Sequence, residues 1–468
     1  MFTTNISAPS TWCCSANRLR FVQEHRWTAP PSGAAPECHG SVKFSVAVAS
    51  LNSYRRNIAA LLAGQAIAYL VPLISVPFLA RVLGLGPYGR LAFAIACVQY
   101  FQIVTDYGFN LSATRRLAII KHDSEQVAQL LASVTVIKLL LCAAGFVVVV
   151  ALATFVPELN DSSALLACAY IAVLGHSIFP LWFFLGLERM QAQTVCIFIG
   201  QLISLASLVL FVNGPNDLSV AAASLGLAPV ISAICGWLVL RSAGLARWSW
   251  AGRNHALETL RDGWHTFYAN AAIGVYTTTT IVGLGFISTA EAVGLFSAAD
   301  KIVKAVLGLT SPVAQAVYPH IARLSAQSRE SALAFIGRLL RWQCIGNGVL
   351  SFALLIGADT IVRTLFGAQF AAAADVIRWM ALLPLIVGAS NVLGVQAMLN
   401  FGMSSAFARI VASSCLFHVI VLLPLVDRFG ASGAGTAILA TEVFVVILMS
   451  RALSKGGLLA PIVRAPHP

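Results

Sequence analysis

Long apolar stretches recur along the chain between residues 57 and 452, and short polar segments separate them. A helix needs roughly 20 apolar residues to cross about 30 Å of hydrocarbon. Twelve stretches have that length, near residues 57–79, 91–113, 126–153, 164–186, 194–213, 218–241, 264–287, 293–317, 333–356, 376–399, 404–426 and 430–452. The pattern therefore predicts an all-α integral membrane protein with about twelve transmembrane helices.

The second and eighth of these helices carry polar residues at helical spacing. In the second helix they are Gln99, Gln102, Asp106 and Asn110. In the eighth they are Asp300, Lys304, Ser311, Gln315 and Tyr318, with Lys301 at the margin. At 100° per residue, each set stays within an arc of roughly 80°. Because polar groups within a membrane rarely face lipid, we expect both stripes to face a shared cavity.

Composition supports a membrane protein, and the distribution of charge predicts its orientation. The 468 residues are 58% hydrophobic and 10% charged, whereas a soluble domain is roughly one quarter charged. Basic residues that flank membrane helices favour the cytoplasmic side. If the segment before the first helix is cytoplasmic, the loops of that face hold 18 basic residues and those of the opposite face hold 5. Both termini are therefore predicted to be cytoplasmic, and the net charge of +12 reflects topology and does not indicate nucleic-acid binding.

An even number of helices in each half gives the two halves the same orientation, as parallel repeats would have. Residues 88–94 at the entry to helix two resemble residues 293–299 at the entry to helix eight, at an offset of 205. The predicted organisation has five parts. They are a disordered cytoplasmic extension or wrongly assigned start of translation (1–50), an N-terminal six-helix lobe (51–241), a basic cytoplasmic linker (242–262), a C-terminal six-helix lobe (263–455) and a cytoplasmic tail (456–468).

Six ionisable residues are expected to lie within the bilayer, where each costs at least about 2.5 kcal/mol and marks a functional path by default. They are Asp106, Lys138, Asp300, Lys301, Lys304 and Glu442. In helix eight two lysines accompany one aspartate, so the balance there is positive. This balance predicts a site that attracts an anionic group.

Alternatives remain open for several of these charges. Asp300 and Lys304 are four residues apart and can simply neutralise each other along one helix face. Arg115 and Arg116 either meet an incoming anion or anchor the helix end, and Asp106 either pairs with one of them or accepts a proton. Lys138 either snorkels or belongs to a site.

No catalytic or cofactor-binding pattern occurs in the sequence. The histidines are scattered, the cysteines lack metal-ligand spacing, and there is no glycine-rich phosphate loop of the Walker type. We therefore expect a protein that is not an enzyme, with no cofactor.

Five stretches of the sequence resemble one family. They are RVLGLGPYG (81–89), TDYGFNLSATRR (105–116), WFFLGLERM (182–190), FSAADKI (296–302) and YPHIARL (318–324). In this order within a twelve-helix frame, they resemble the Wzx-type flippases for O-antigen and exopolysaccharide repeat units. That family is part of the MOP superfamily, which also includes MATE transporters and lipid II flippases.

The resemblance implies two six-helix lobes around a cationic cavity in the bacterial inner membrane. The implied substrate is an undecaprenyl-diphosphate-linked oligosaccharide, moved between leaflets by alternating access, with membrane lipid around it and a polymerase and glycosyltransferases in the same pathway. The residues expected to bind the substrate are Lys301, Lys304, Arg116, Gln99, Gln102, Asn110, Asn270 and Gln315. The candidates for coupling an ion are Asp106, Asp300 and Glu442.

Two other functions are compatible with a chain of this kind. A MATE-like drug/cation antiporter favours an acidic cavity, whereas helix eight is net basic. A membrane glycan polymerase is expected to have a sizeable outer loop with catalytic groups, and no predicted outer loop exceeds about 20 residues.

Overall fold

A computed structural model describes residues 71–160 and 162–464. Within these ranges the side chains of 158, 265, 266, 269, 270, 272, 273, 275–277, 311–313, 315, 316, 463 and 464 are not described. The predicted extension 1–50 lies outside the described residues.

Helices make up every regular element of the described ranges. The first six are α1 (Val71–Leu83 in its described part), α2 (Leu85–Asp106), α3 (Phe109–Ile120), α4 (Ser124–Phe155), α5 (Pro157–Asn160) and α6 (Ser163–Ile178). The next six are α7 (Leu181–Gly186), α8 (Met190–Phe211), α9 (Leu218–Ser242), α10 (Arg253–Ile287), α11 (Ala290–Gln327) and α12 (Arg329–Phe366). A 3₁₀ turn (Ala368–Phe370) leads to α13 (Ala373–Met380), α14 (Leu383–Asn391), a π-helix (Val392–Met398), α15 (Ser404–Lys455) and α16 (Leu459–Arg464).

Seven helices in the described ranges are long and apolar enough to cross a membrane. Each of the twelve predicted spans overlaps one of the helices above, and the last two share α15, which is kinked at Gly430 (φ 54°, ψ −126°). The prediction of an all-α, multi-pass membrane protein is confirmed. The count of twelve, the lobe boundaries and the cytoplasmic side of the termini stay predictions.

The second predicted span is not one continuous helix. It breaks at Tyr107 and Gly108, whose φ angles of 42° and 72° are left-handed. The prediction of an uninterrupted helix over 91–113 is therefore wrong at this point. Because the break changes the direction of the chain, the 100° periodicity that aligned Asp106 with Asn110 does not carry across it.

The positions of helix starts support an internal repeat. Helix α11 begins 205 residues after α2, and α12 begins 205 residues after α4. Side chains cap both members of the second pair, because Asp123 accepts from the amides of Glu125 and Gln126, and Ser328 accepts from that of Ser331. The offset of 205 between residues 88–94 and 293–299 thus also relates the starts of α2 and α4 to those of α11 and α12.

Helix α2 joins the two halves of the molecule. At its start, a Cβ added to Gly89 would lie 1.7 Å from the carbonyl oxygen of Ala290 at the start of α11. Further along, the rings of Phe93 and Phe286 pack edge to face with centroids 5.4 Å apart. Beyond them the Tyr100 hydroxyl and Thr279 Oγ1 form a hydrogen bond of 2.9 Å. Small residues let helices approach closely in a membrane, so this glycine determines how near α2 and α11 come.

We expect Gly89→Ala to separate α2 from α11, because its methyl group would overlap the backbone of Ala290. Overpacking of this kind destabilises by about 1–3 kcal/mol. Thermal unfolding in detergent should show a lower midpoint for this variant. Gly346→Ala is the matched control, since that glycine lies in α12 with no atom within 4 Å of an added Cβ. An equal midpoint for the two variants would contradict the close contact.

Candidate functional site

A buried ion pair connects three helices of the first half. The Lys138 ammonium of α4 lies 3.1 Å from Asp106 Oδ1 at the end of α2. It also donates to the carbonyl oxygen of His176 in α6, at 3.1 Å. The side chain of Lys138 is 3% exposed and that of Asp106 is 35% exposed. Lys138 therefore does not snorkel, and the partner of Asp106 is this lysine and neither of the two arginines.

The sequence explains why the His176 carbonyl is available. In a helix this carbonyl would accept from the amide four residues later. That residue is Pro180, which has no amide hydrogen. Helix α6 ends at Ile178, so the carbonyl is one of those left free at a helix end and Lys138 supplies its donor.

A second ion pair lies in the other half. The Lys304 ammonium is 2.8 Å from Asp300 Oδ2, one turn apart on α11. Asp300 is buried, and the Lys304 side chain is 48% exposed. Both line a cavity of about 170 Å³ together with Glu442 of α15, and its other walls come from α10, α13 and α14. The cavity thus holds two carboxylates and one ammonium.

Three charged residues of the polar stripes face their own halves. Asp106 contacts α4, and Asp300 and Lys304 line a cavity whose residues all lie between 280 and 442. The expectation of one shared cavity for both stripes is therefore wrong for these residues. Helical periodicity gives side chains a common direction, but it does not identify the neighbouring helix on that side, and each bundle has an interior of its own.

Lys301 differs from its neighbour Lys304. It lies seven residues after Gly294, and therefore on the same face of α11. Gly294 packs against α2, because a Cβ added there would lie 2.7 Å from the carbonyl oxygen of Leu85. Lys301 is exposed. Among the described side chains, no carboxylate lies within ion-pair distance of its ammonium.

Arg116 links the two halves at the predicted cytoplasmic end. Its guanidinium lies 3.3 Å from Asp262 and 3.9 Å from Glu258, both on α10. One turn further along α10, Phe267 stacks on Tyr107 with ring centroids 4.7 Å apart. The charge of Arg116 is thus partly neutralised in this conformation. Each exposed pair of this kind contributes no more than about 1 kcal/mol.

The remaining predicted site residues are placed as follows. Gln99 is exposed and Gln102 is half-buried on α2. Asn110 lies in the first turn of α3, with a buried Oδ1 that has no described partner. The side chains of Asn270 and Gln315 lie outside the described residues.

Sequence reasoning missed three amides that meet in the second half: Gln343, Asn391 and Gln396 line one cavity with Tyr318. Asn391 and Gln396 fall in one predicted apolar span and Gln343 falls in another, and uncharged amides in such spans are a weak signal. The repeat offers a stronger one, since Gln343 lies 205 residues after Lys138.

Known proteins match most of this chain. A family model described as "Polysaccharide biosynthesis protein" matches residues 54–325. The chain belongs to this family. Within the polysaccharide biosynthesis family, a "Putative O-antigen transporter" of Escherichia coli (strain K12) is 30% identical over 402 residues, covering 85% of this chain and 96% of the relative. A protein of the same name from Shigella dysenteriae is 26% identical and covers 85% of this chain and all of the relative.

Two solved structures share the fold of this family member. The lipid II flippase MurJ in an inward closed conformation superposes with a TM-score of 0.68 at 13% identity, covering 86% of this chain and 89% of its own. An inward-facing multidrug resistance MATE family transporter of the MOP superfamily gives a TM-score of 0.66 at 12% identity, covering 88% of this chain and all of its own. The resemblance to a Wzx-type protein of the MOP superfamily is confirmed.

We expect Asp106→Asn to destabilise this family member by about 3 kcal/mol, because it leaves the buried Lys138 ammonium without its counter-charge. Lys138→Met should cost less, since the Asp106 carboxylate left behind is partly exposed. The double variant should unfold at a higher temperature than Asp106→Asn alone. A double-mutant cycle of thermal midpoints in detergent measures this coupling, and additive effects would rule the ion pair out.

Proposed function

We propose that the protein is a flippase that moves a polyprenyl-diphosphate-linked oligosaccharide repeat unit across the bacterial inner membrane by alternating access. The observation that carries this proposal is the position of Lys301. Lys301 is exposed and lies on the face of α11 that packs against α2 at Gly294, and no carboxylate lies within ion-pair distance of its ammonium among the described side chains. The O-antigen transporters related to this chain support a lipid-linked glycan as the substrate.

Charge is the main obstacle that such a protein removes. A diphosphate is an anion, and moving an ion from water into hydrocarbon is costly unless an opposite charge compensates it. Lys301 supplies a positive charge, and among the described side chains no carboxylate lies within ion-pair distance of it. Lys304 is already paired with Asp300, so it contributes less to the attraction of an anion. We therefore assign the phosphate contact to Lys301 first, with Lys304 as a neighbour.

Arg116 suits a role at the entrance on the predicted cytoplasmic side. Besides His255 Nε2 at 3.3 Å, its partners on α10 are two exposed carboxylates, and ion pairs of this kind are weak. An arriving diphosphate can replace them with a stronger, charge-assisted contact to the guanidinium. This exchange would loosen the link between α3 and α10 when substrate arrives, as alternating access requires.

The acidic balance of the Asp300 cavity suits the coupling ion. Asp300 and Glu442 line it with a single ammonium, from Lys304. A proton or a small cation would restore neutrality there. The same balance favours a second candidate function, that of a MATE-like antiporter of cationic compounds, and the MATE structure that shares the fold is consistent with it.

The two functions separate in a strain that lacks this gene. If the protein is a flippase, the deletion strain should accumulate lipid-linked repeat units on the cytoplasmic leaflet and lose surface glycan. The gene supplied on a plasmid should reverse both effects. Unchanged glycan together with greater sensitivity to cationic drugs would favour the antiporter instead. Single repeat units exposed outside the membrane would indicate a lost polymerase.

We expect Lys301→Met to lower surface glycan by about tenfold or more, because it removes a charge-assisted contact to the diphosphate. Lys301→Arg should retain most export, since the charge stays. Glycan on intact cells, normalised to the amount of protein in the membrane, is the measurement. Lys121→Met is the matched control, because that lysine is exposed at the end of α3. Normal export by Lys301→Met would overturn the assignment of the phosphate contact.

A further inference from the structure

A second cavity in the C-terminal half is lined by apolar and uncharged polar side chains among the described residues. It measures about 580 Å³ and lies between α11, α12, α14 and the π-helix. Its polar side chains are Thr310, Tyr318, Gln343, Asn391 and Gln396. No Asp, Glu, Lys or Arg is among the described residues that line it. The volume falls within the range of small-molecule sites, roughly 300–1,000 Å³.

Two hydrogen-bond acceptors in this cavity have no described donor. The Gln396 side chain donates from Nε2 to the carbonyl oxygen of Ala314 on α11, at 2.9 Å. This bond orients the amide, and its Oε1 is buried without a partner. Asn391 Oδ1 is also buried and unpartnered. Folded proteins rarely leave buried polar atoms unpaired, because their desolvation is not compensated. Two such acceptors on one cavity wall therefore point to a ligand that brings donors.

The π-helix brings these acceptors to one side. In an α-helix, residues five apart such as Asn391 and Gln396 lie about 140° from each other. Hydrogen bonds in a π-helix run from i to i+5, so residues five apart lie nearly over one another. One such bond joins the Leu399 amide to the Gly394 carbonyl. The local distortion of the helix thus aligns the two amides on the cavity.

The walls of the cavity fit a neutral, hydroxyl-rich group. Sugar hydroxyls donate to amide oxygens, and the C–H faces of a sugar ring pack on apolar side chains such as Leu307, Val387 and Leu399, which also line the cavity. A metal cation would bring no donor, and the cavity supplies no carboxylate to balance its charge.

The geometry points to a sugar subsite in this cavity, which holds one sugar of the lipid-linked glycan through Asn391 and Gln396. This inference rests on the proposed function and names where that substrate's glycan is recognised. The cavity shares Leu307 and Val387 with the smaller cavity that Asp300, Lys304 and Glu442 line. A sugar bound in the subsite would therefore lie next to the cavity of Asp300, Lys304 and Glu442.

Binding to the purified full chain in nanodiscs tests the subsite. The two probes are the lipid-linked repeat unit extracted from the deletion strain and undecaprenyl diphosphate without sugar. Wild-type protein should bind both probes and bind the glycan-bearing one more tightly. Asn391→Leu combined with Gln396→Met should weaken binding of the repeat unit by about tenfold, to the level of the bare carrier, and leave binding of the carrier unchanged.

Controls separate the subsite from folding and from the proposed function. Gln201→Met makes the same chemical change on α8, outside the cavity, and should bind both probes as the wild type does. Lys301→Met should weaken both probes equally. If the double variant keeps the preference for the repeat unit, or loses both probes while still folded, the subsite is overturned. If the wild type binds neither probe, both the proposed function and the sugar subsite are overturned.

Discussion

A buried ammonium must have a counter-charge and acceptors close by, and the first half of this protein is arranged around that requirement. Lys138 lies within the apolar α4 and is almost fully buried. Its partners come from two other helices, as the Asp106 carboxylate from α2 and the His176 carbonyl from α6. Because leaving either charge alone in a low-dielectric interior is costly, the interaction fixes the register of three helices relative to one another.

Two kinds of prediction succeeded because hydrophobic length and charge leave direct marks on a sequence. The apolar spans predicted the helices, and the ionisable residues within them marked both ion pairs. The direction of the stripes was not predictable in the same way. Asp106 and Asp300 each face a partner inside their own half, and spacing along one helix says nothing about which helix lies opposite. The break at Tyr107 was hidden as well, because only Gly108 beside it carries a local signal for a left-handed conformation.

The amides of the C-terminal half show a further limit of sequence. Asn391 and Gln396 are brought together by a π-helix. In an ordinary α-helix, residues five apart do not lie on the same face. The α-helical periodicity of the sequence therefore does not place the two amides on one face. Only the structure shows that both residues line one cavity and that their side-chain oxygens have no donor among the described residues.

The repeat connects these observations. Lys138 on α4 and Gln343 on α12 occupy equivalent places, 205 residues apart, in helices that also start 205 residues apart. In the first half this position holds Lys138, whose ammonium pairs with Asp106 and donates to the His176 carbonyl. In the second half it holds Gln343, a neutral amide that lines a cavity. If the two halves descend from one duplicated unit, this position became part of the scaffold in the first copy and holds an amide on a cavity wall in the second.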